Sequence, residues 1–547
     1  MIRMPRAVGL DRFGPIAERS SATWVAAGRR AIASPWAVVA LVACGLALRV
    51  ERWVHDRSLW GDEGALALNI IGKSAAQLTH RLEYLQGAPT GFLLVERLDV
   101  DLFGPTELSL RLFPLLCGIV ALCVFAVVAR RLLTPGGSLV ALVLVSVAAP
   151  LVYYSSEVKQ YSTDVAAASV LLLAAVSVEW RAVGRQGGFL LAVGGAAVVW
   201  FSHPALIVLP TLVAVLVAGA WLRDDRRALR ALLPLTAIWA VSTVVAYVVN
   251  RANTSAVAHA ALTGTPGVGG RLAPFKDAWH AWGNVIGTAD STTGLVVTAA
   301  VAGAVHLLRR DPLLVGLVLA PPAATFVAAL LGLYPFTDRF VLFLAPFFAV
   351  LVGAGTVELA RLIARVFPLA AAAAVLLVLV YPVGVAARDA LSPPGHEEVR
   401  TVLRYVDARW RRGDALYVWW QSQFPLRYYA ACRACGDLRP GGLRTVVWPP
   451  RLDETPTDVA LVTHLPGLVV GTQLQELDGY VRSFRPLEGR RRVWFVFSST
   501  WDDAGAQFVL GCLGRRLDEV HATRAAAYLY DLSARPDRAN CSLPVAG

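Results

Sequence analysis

Long apolar runs separated by short polar connectors fill most of the first 390 residues. A helix that crosses a bilayer needs about 20 mainly apolar residues. Runs of that kind fall at roughly 35–51, 110–129, 138–154, 162–179, 188–203, 204–222, 231–250, 293–308, 312–333, 340–357 and 367–387, which predicts about eleven spans. The fifth and sixth are short and meet at His203-Pro204, so a tight hairpin and one bent unit are both open readings. Two regions break the pattern. The loop 52–109 is too polar to span and contains amphipathic stretches suited to lie along the interface. Beyond about 390, helical patterns at His396–Arg412 and Gly471–Phe484 alternate with apolar runs at 415–420, 458–463, 493–498 and 527–530, which predicts a small α/β domain. The expected fold class is a polytopic α-helical membrane protein with a C-terminal extracytoplasmic α/β domain. Its expected parts are a cytoplasmic tail (1–34), a transmembrane domain (35–389) and the α/β domain (390–547).

Composition agrees with this pattern. Of 547 residues, 56% are hydrophobic and 16% charged, against about 25% charged in soluble domains. The net charge of +12 suggests nucleic acid until position is considered. The arginines cluster beside apolar spans, where they set topology, so no nucleic-acid partner is expected. Alternate connectors hold Arg130/Arg131, Arg181/Arg185, Arg223/Arg226/Arg227/Arg230, Arg309/Arg310 and Arg361/Arg365, which predicts that these loops are cytoplasmic. The N-terminus, with Arg3, Arg6, Arg12, Arg19, Arg29 and Arg30, is then a cytoplasmic tail on an uncleaved anchor, and the last span exits outward. The expected location is the cell membrane, multi-pass. Cys44, Cys117 and Cys123 fall in spans as apolar packing, whereas Cys432, Cys435, Cys512 and Cys541 fall in the tail. Those four suggest two disulfides, with three connectivities open and a four-thiolate zinc site as the lesser alternative.

Ionisable groups are almost absent from the span interiors, where an ion-coupled transporter normally carries them. They gather instead at the outward ends. Trp60-Gly61-Asp62-Glu63 sets two adjacent carboxylates near lipid, where repulsion and desolvation would raise a carboxyl toward the range of a general base. Trp60 suits the interfacial belt and can stack on a sugar ring. Between the third and fourth spans, Glu157, Lys159, Tyr161 and Asp164 combine carboxylates with a cation and a hydroxyl donor able to hold a phosphate. Arg339, beside Asp338, can grip two phosphate oxygens at once. His203 at a helix end, and His259, Trp279 and His280 in the loop 251–291, are weaker candidates for lining a substrate path. Without a Gly-rich nucleotide fingerprint, no nucleotide cofactor is assigned.

The segments Leu59-Trp60-Gly61-Asp62-Glu63-Gly64, Gly87-Ala88-Pro89-Thr90-Gly91, Phe103-Gly104 through Leu110-Arg111-Leu112-Phe113-Pro114, Tyr153 to Tyr161, and Tyr334-Pro335 to Arg339-Phe340 resemble in order and placement the GT-C superfamily of membrane glycosyltransferases. The likeness is to the protein O-mannosyltransferase and aminoarabinose-transferase-like group, glycosyltransferase family 39-like. It covers roughly 50–350; the tail lies outside it. The resemblance implies an inverting transfer of a sugar from a polyprenyl-phosphate donor to an extracytoplasmic glycan, lipid or protein acceptor. It implies that Asp62 is the catalytic base, with Glu63 beside it, and that Glu157 orients acceptor or donor. Lys159, Tyr161 and Arg339 would hold the donor phosphate; Trp60, Asp164, His203 and His259 are the candidate substrate contacts. In some relatives the acidic residue matching Glu157 lies near a metal, so a divalent ion held by Asp62 and Glu157 is an open reading. Ala88-Pro89-Thr90 stands where many relatives have two prolines, and Lys159 replaces a common Arg, supplying a point charge rather than a fork. A hexose, pentose or amino sugar remains open. So do a flippase or transporter of lipid-linked sugars and a non-catalytic envelope-assembly component.

Overall fold

The computed structural model describes residues 34–254, 280, 283, 285–287, 290–431, 438, 443, 463–465, 468–470, 477–498 and 504–533. All eleven predicted apolar segments are helical. In chain order the main helices are α1 (Pro35–Val54), α2 (Gly61–Gly72), α3 (Thr90–Phe103), α4 (Leu112–Leu132), α5 (Pro135–Val147), α6 (Tyr161–Ser177) and α7 (Arg185–Val198). There follow α8 (Ala205–Leu222), α9 (Arg226–Asn253), α10 (Asp290–Arg310), α11 (Pro312–Leu330), α12 (Ala345–Ala364) and α13 (Pro368–Leu391). Among the described residues, seven helices are long and apolar enough to cross a membrane, and a bent pair makes an eighth. The other three predicted spans fall short for visible reasons. α1 carries Arg49, Glu51 and Arg52 near its end, α6 has 17 residues and α7 has 14. α7 and α8 are separate helices joined by a turn at 200–204.

The bend has a local cause. α5 and the segment Ala149–Ser156 meet at 51°, and Pro150 has no N–H to give the Ser146 carbonyl. Arg49 fills the gap: its Nη1 donates to Ser146 O at 3.0 Å and Gly45 O at 2.9 Å, and its Nη2 to Val145 O at 3.0 Å. A buried cation thus caps the negative end of α5. Elsewhere small residues set helix spacing. Gly303 on α10 lies against Leu351 and Gly355 on α12 against Ala299, so close that a methyl group at either would overlap the opposite backbone.

The Arg-rich connectors share one end of the bundle. Arg310 donates to Leu132 O at 2.6 Å, Arg223 pairs with Asp311 at 3.0 Å, and Arg181 pairs with Asp225. α2, α3 and the C-terminal domain occupy the other end. α3 is amphipathic: Leu94, Leu98, Leu102 and Phe103 are exposed, and Phe92, Leu93 and Val100 are buried. An exposed apolar stripe at this spacing suits an interfacial helix.

The C-terminal domain holds α14 (Val399–Arg409), α15 (Gln423–Ala431), α16 (Leu477–Phe484) and α17 (Ala504–Leu513). Its strands are β1 (Ala415–Val418), β2 (Thr463–Leu465), β3 (Leu468–Val470), β4 (Val493–Ser498), β5 (Arg515–Ala522) and β6 (Ala525–Asp531), in the order β2-β3-β1-β4-β6-β5. β1 is parallel to β3 and β4, and the remaining pairs are antiparallel. The predicted run 458–463 lies outside the described residues except Thr463, which opens β2. β5 was not anticipated, because a charged edge strand carries no apolar run. Alternation along the strands builds two cores. Ala415, Tyr417, Phe495 and Tyr528 pack with α16 and α17. Leu416, Val418, Trp494 and Leu529 pack with α14, α15 and with Leu59, Leu66, Ile70, Phe92 and Leu110 of the loop 52–109. One apolar core therefore runs across residue 390. Cys512 is disulfide-bonded and Cys44, Cys117 and Cys123 are free, while Cys432, Cys435 and Cys541 lie outside the described residues.

Candidate active site

Asp62 lies in the first turn of α2, whose N-terminus favours a carboxylate. Its Oδ1 pairs with Lys159 Nζ at 2.9 Å and its Oδ2 with Arg339 Nη2 at 2.8 Å. Gln86 joins the two: its Nε2 donates to Asp62 Oδ1 at 3.2 Å, and its Oε1 accepts from Lys159 Nζ at 2.7 Å. Three sequence-distant loops thus meet on one carboxylate. About a quarter of the Asp62 side chain is exposed (23%), as is that of Arg339 (25%), so the cluster reaches the protein surface. Arg339 does not pair with its neighbour Asp338 here; its guanidinium lies over the rings of Trp60 and Tyr161, each at 5.5 Å.

The adjacent carboxylates were expected to raise one another, and the structure corrects this. They point to different partners. Glu63 is fully buried and held bidentately by Arg111, with Nε to Oε1 at 2.9 Å and Nη2 to Oε2 at 2.7 Å. It also accepts from Val158 N at 2.9 Å, tying the first loop to the second. Burial pushes both carboxyls up, but the cations outweigh it. Lys159 and Arg339 hold Asp62 well below the usual carboxylate range, and Arg111 and Arg57 lower Glu63. Glu157 is the raised one, through burial and then repulsion by Glu63, partly offset by Arg57 at 3.6 Å. Its Oε1 accepts from Trp60 Nε1 at 3.0 Å. Burial lowers Lys159, with Arg339 adding repulsion and Asp62 opposing it.

The other candidates are placed as follows. Tyr161 is buried beside Arg339, edge-on to Tyr154 at 5.1 Å. Asp164 is buried one turn further along α6, next to Ser202. His203 sits in the 200–204 turn, where burial pushes it down to about 4. Neither Asp164 nor His203 joins the Asp62 cluster among the described contacts. His259 and Trp279 lie outside the described residues, and His280 is exposed. For a metal, the donors fit poorly. Both Asp62 oxygens face cations, and among the described residues no group of three or more His, Cys, Asp or Glu is arranged to hold an ion.

Sequence reasoning missed Gln86, Arg57 and Arg111, although Arg111 stood inside a quoted motif. It also missed the C-terminal domain's part. His396 packs against Trp60 with the rings tilted by 31° and centroids 4.5 Å apart, and burial, then Arg57, pushes it down to about 4. Glu397 Oε2 accepts from Gly61 N at 3.3 Å, Glu398 from Ser58 Oγ at 3.0 Å, and Tyr429 Oη from Leu59 N at 2.9 Å. Gly64 has no room for a Cβ, which would lie 2.7 Å from Pro425 N. The turn that carries Asp62 is thus pressed directly against α15.

A helical bundle with a bent helix pair and a charged loop site against an α/β domain defines a polytopic membrane fold. No family model and no curated protein matches the chain. Among solved structures it is similar to ArnT from Cupriavidus metallidurans bound to undecaprenyl phosphate, at 16% identity and TM-score 0.50, covering 90% of this chain and 97% of that one. To ArnT in the apo state the figures are 16% and 0.51, covering 91% and 98%. The archaeal oligosaccharyltransferase AglB from Archaeoglobus fulgidus, in complex with an inhibitory peptide and a dolichol-phosphate, is 11% identical at TM-score 0.47, covering 93% and 75%. At 90% of this chain, the likeness to ArnT extends into the C-terminal domain, past residue 350 where the sequence resemblance stops.

Proposed function

We propose that the chain is a membrane glycosyltransferase that moves a sugar from a polyprenyl-phosphate donor to an acceptor hydroxyl on the extracytoplasmic side, with Asp62 as general base. The observation that carries this reading is the bridging of Asp62 by Lys159 and Arg339 at an opening on one membrane face. The similarity of fold to ArnT, seen with undecaprenyl phosphate, supports a lipid-phosphate donor. The acceptor O–H gives its proton to Asp62 as its oxygen attacks the anomeric carbon. The bond from that carbon to the phosphate oxygen breaks on the opposite side, with inversion. The departing lipid phosphate gains charge, which Lys159 and Arg339 neutralise.

This assigns the two cations a double duty. In the resting site they hold Asp62 so acidic that it is a poor base. An arriving phosphate competes for them, and each contact it takes returns basicity to Asp62. Base strength then depends on donor occupancy, which disfavours proton abstraction before a donor is present.

The test is sugar transfer by purified protein in vesicles supplied with a polyprenyl-phosphate sugar. Asp62→Asn should insert normally and lose transfer by about 10²-fold or more. Lys159→Ala should raise the apparent donor KM more than the acceptor KM. Full transfer by Asp62→Asn removes the base assignment. Movement of lipid-linked sugar across the vesicle with no glycosidic bond formed makes the protein a flippase.

A further inference from the structure

The half of the site contributed by the C-terminal domain carries aromatic rings with no part in the steps above. Phe424 of α15 is buried, with Tyr84 from the loop 52–109 on one side and Trp420 on the other, at centroid distances of 5.5 and 5.2 Å. Tyr84 and Trp420 are both partly exposed. Both ends of the strip are tied to residues next to the base. The same Gln86 Nε2 that donates to Asp62 also donates to Tyr84 O at 3.2 Å. At the other end, Gln421 O lies 3.2 Å from where a Cβ on Gly61 would stand.

Tyr84 is held at some cost. It and Leu85 have φ of 60° and 57°, a left-handed backbone that bulky residues rarely adopt. Strain of this kind persists only where surroundings enforce it. Arg427, also from α15, does so, with its guanidinium 5.8 Å from the Tyr84 ring centroid and Nη1 donating to Tyr84 Oη at 3.4 Å.

We propose that the acceptor is a carbohydrate, whose rings lie against the partly exposed Tyr84 and Trp420, with Phe424 buried between them as their support, and with the accepting hydroxyl over Asp62. This rests on the glycosyltransferase reading and narrows it. A sugar ring presents a face of polarised C–H groups and a rim of hydroxyls. Aromatic faces attract the former, while the Tyr84 hydroxyl and the Gln421 amide can serve the latter. The two rims come from different parts of the chain, so the subsite exists only when the C-terminal domain is docked.

The experiment uses the full-length protein in lipid nanodiscs. Manno-, gluco- and arabino-tetraose, and a threonine-containing peptide, are titrated separately with saturation-transfer NMR as the readout; undecaprenyl phosphate is titrated in parallel. At least one tetrasaccharide should bind. Its affinity should fall by about tenfold or more in Trp420→Ala and in Tyr84→Asn, with undecaprenyl phosphate binding unchanged. Asn tolerates the left-handed backbone, so the second variant removes the ring without breaking the turn; it decides the matter if the first fails to fold. No tetrasaccharide binding to the unmodified protein, or equal binding by a folded variant lacking either ring, overturns the proposal. The donor reading fails separately, on undecaprenyl phosphate binding that ignores Lys159→Ala.

Discussion

At the scale of single residues, neighbours and burial set the charge of each group, and this gives a signed pH dependence. Asp62 has a folded pKa below its unfolded value. Its ion pairs therefore add stability that is complete above roughly pH 4 and is lost as pH falls through the lowered folded value. Asp62 should stay ionised throughout the neutral range. His396 and His203 are each pushed down to about 4, from an ordinary value of about 6.5. Unfolding lets them take up protons, so their contribution declines from about pH 6.5 and stops changing below about 4. A melting temperature followed against pH in detergent should show this decline, and His396→Gln should flatten it relative to the unmodified protein. Glu63 and Arg111 offer a sharper test. Both side chains are essentially unexposed (0% and 1%). Glu63→Gln leaves Arg111 without its charge partner and should cost about 3–5 kcal/mol. The double variant Glu63→Gln with Arg111→Met should lose less than the sum of the singles, measured as a thermal-unfolding cycle.

At the scale of elements, α2 stands out because it is short and is buried on nearly every side. Its approach to α15 depends on Gly64. Gly64→Val should push α15 away, exposing sites after 390 to limited proteolysis and reducing sugar transfer while leaving membrane insertion intact. The sequence made the spans readable, since a lipid-facing helix must be apolar for its whole length. It also exposed Asp62, Lys159 and Arg339, because charges at the ends of apolar runs have few reasons to be there. It hid the partner of Glu63, which lies 48 residues away and looks in isolation like any interfacial arginine. It hid β5 for the opposite reason: an edge strand rich in Arg, Asp and Glu looks like a solvated loop. α1 and α6 were legible as helices, and the structure adds that Arg49 and Arg52 near the end of α1 and the first half of α6 are buried in protein.

At the scale of the whole molecule, the arginine-rich connectors meet at one end and the Asp62 cluster with the C-terminal domain occupies the other. The positive-inside rule assigns the first end to the cytoplasm. Ala75→Cys, at an exposed position of the loop 52–109, should therefore react with a membrane-impermeant maleimide added to intact cells, and Gly184→Cys should react only after lysis. Labelling of both positions, or of neither, in intact cells contradicts that orientation.

The core shared between the loop 52–109 and the sheet has a bearing on biogenesis. Synthesis runs from the N-terminus, so every spanning helix through α13 can enter the bilayer while Leu66, Ile70 and Phe92 still lack the residues that will cover them. A nascent chain at that stage is fully inserted yet unfinished, with greasy side chains bare at the headgroup boundary. Activity should accordingly appear late, only after the last strands emerge and fold back. Ribosomes stalled near residue 390 should leave a membrane-embedded product that quality-control proteases remove.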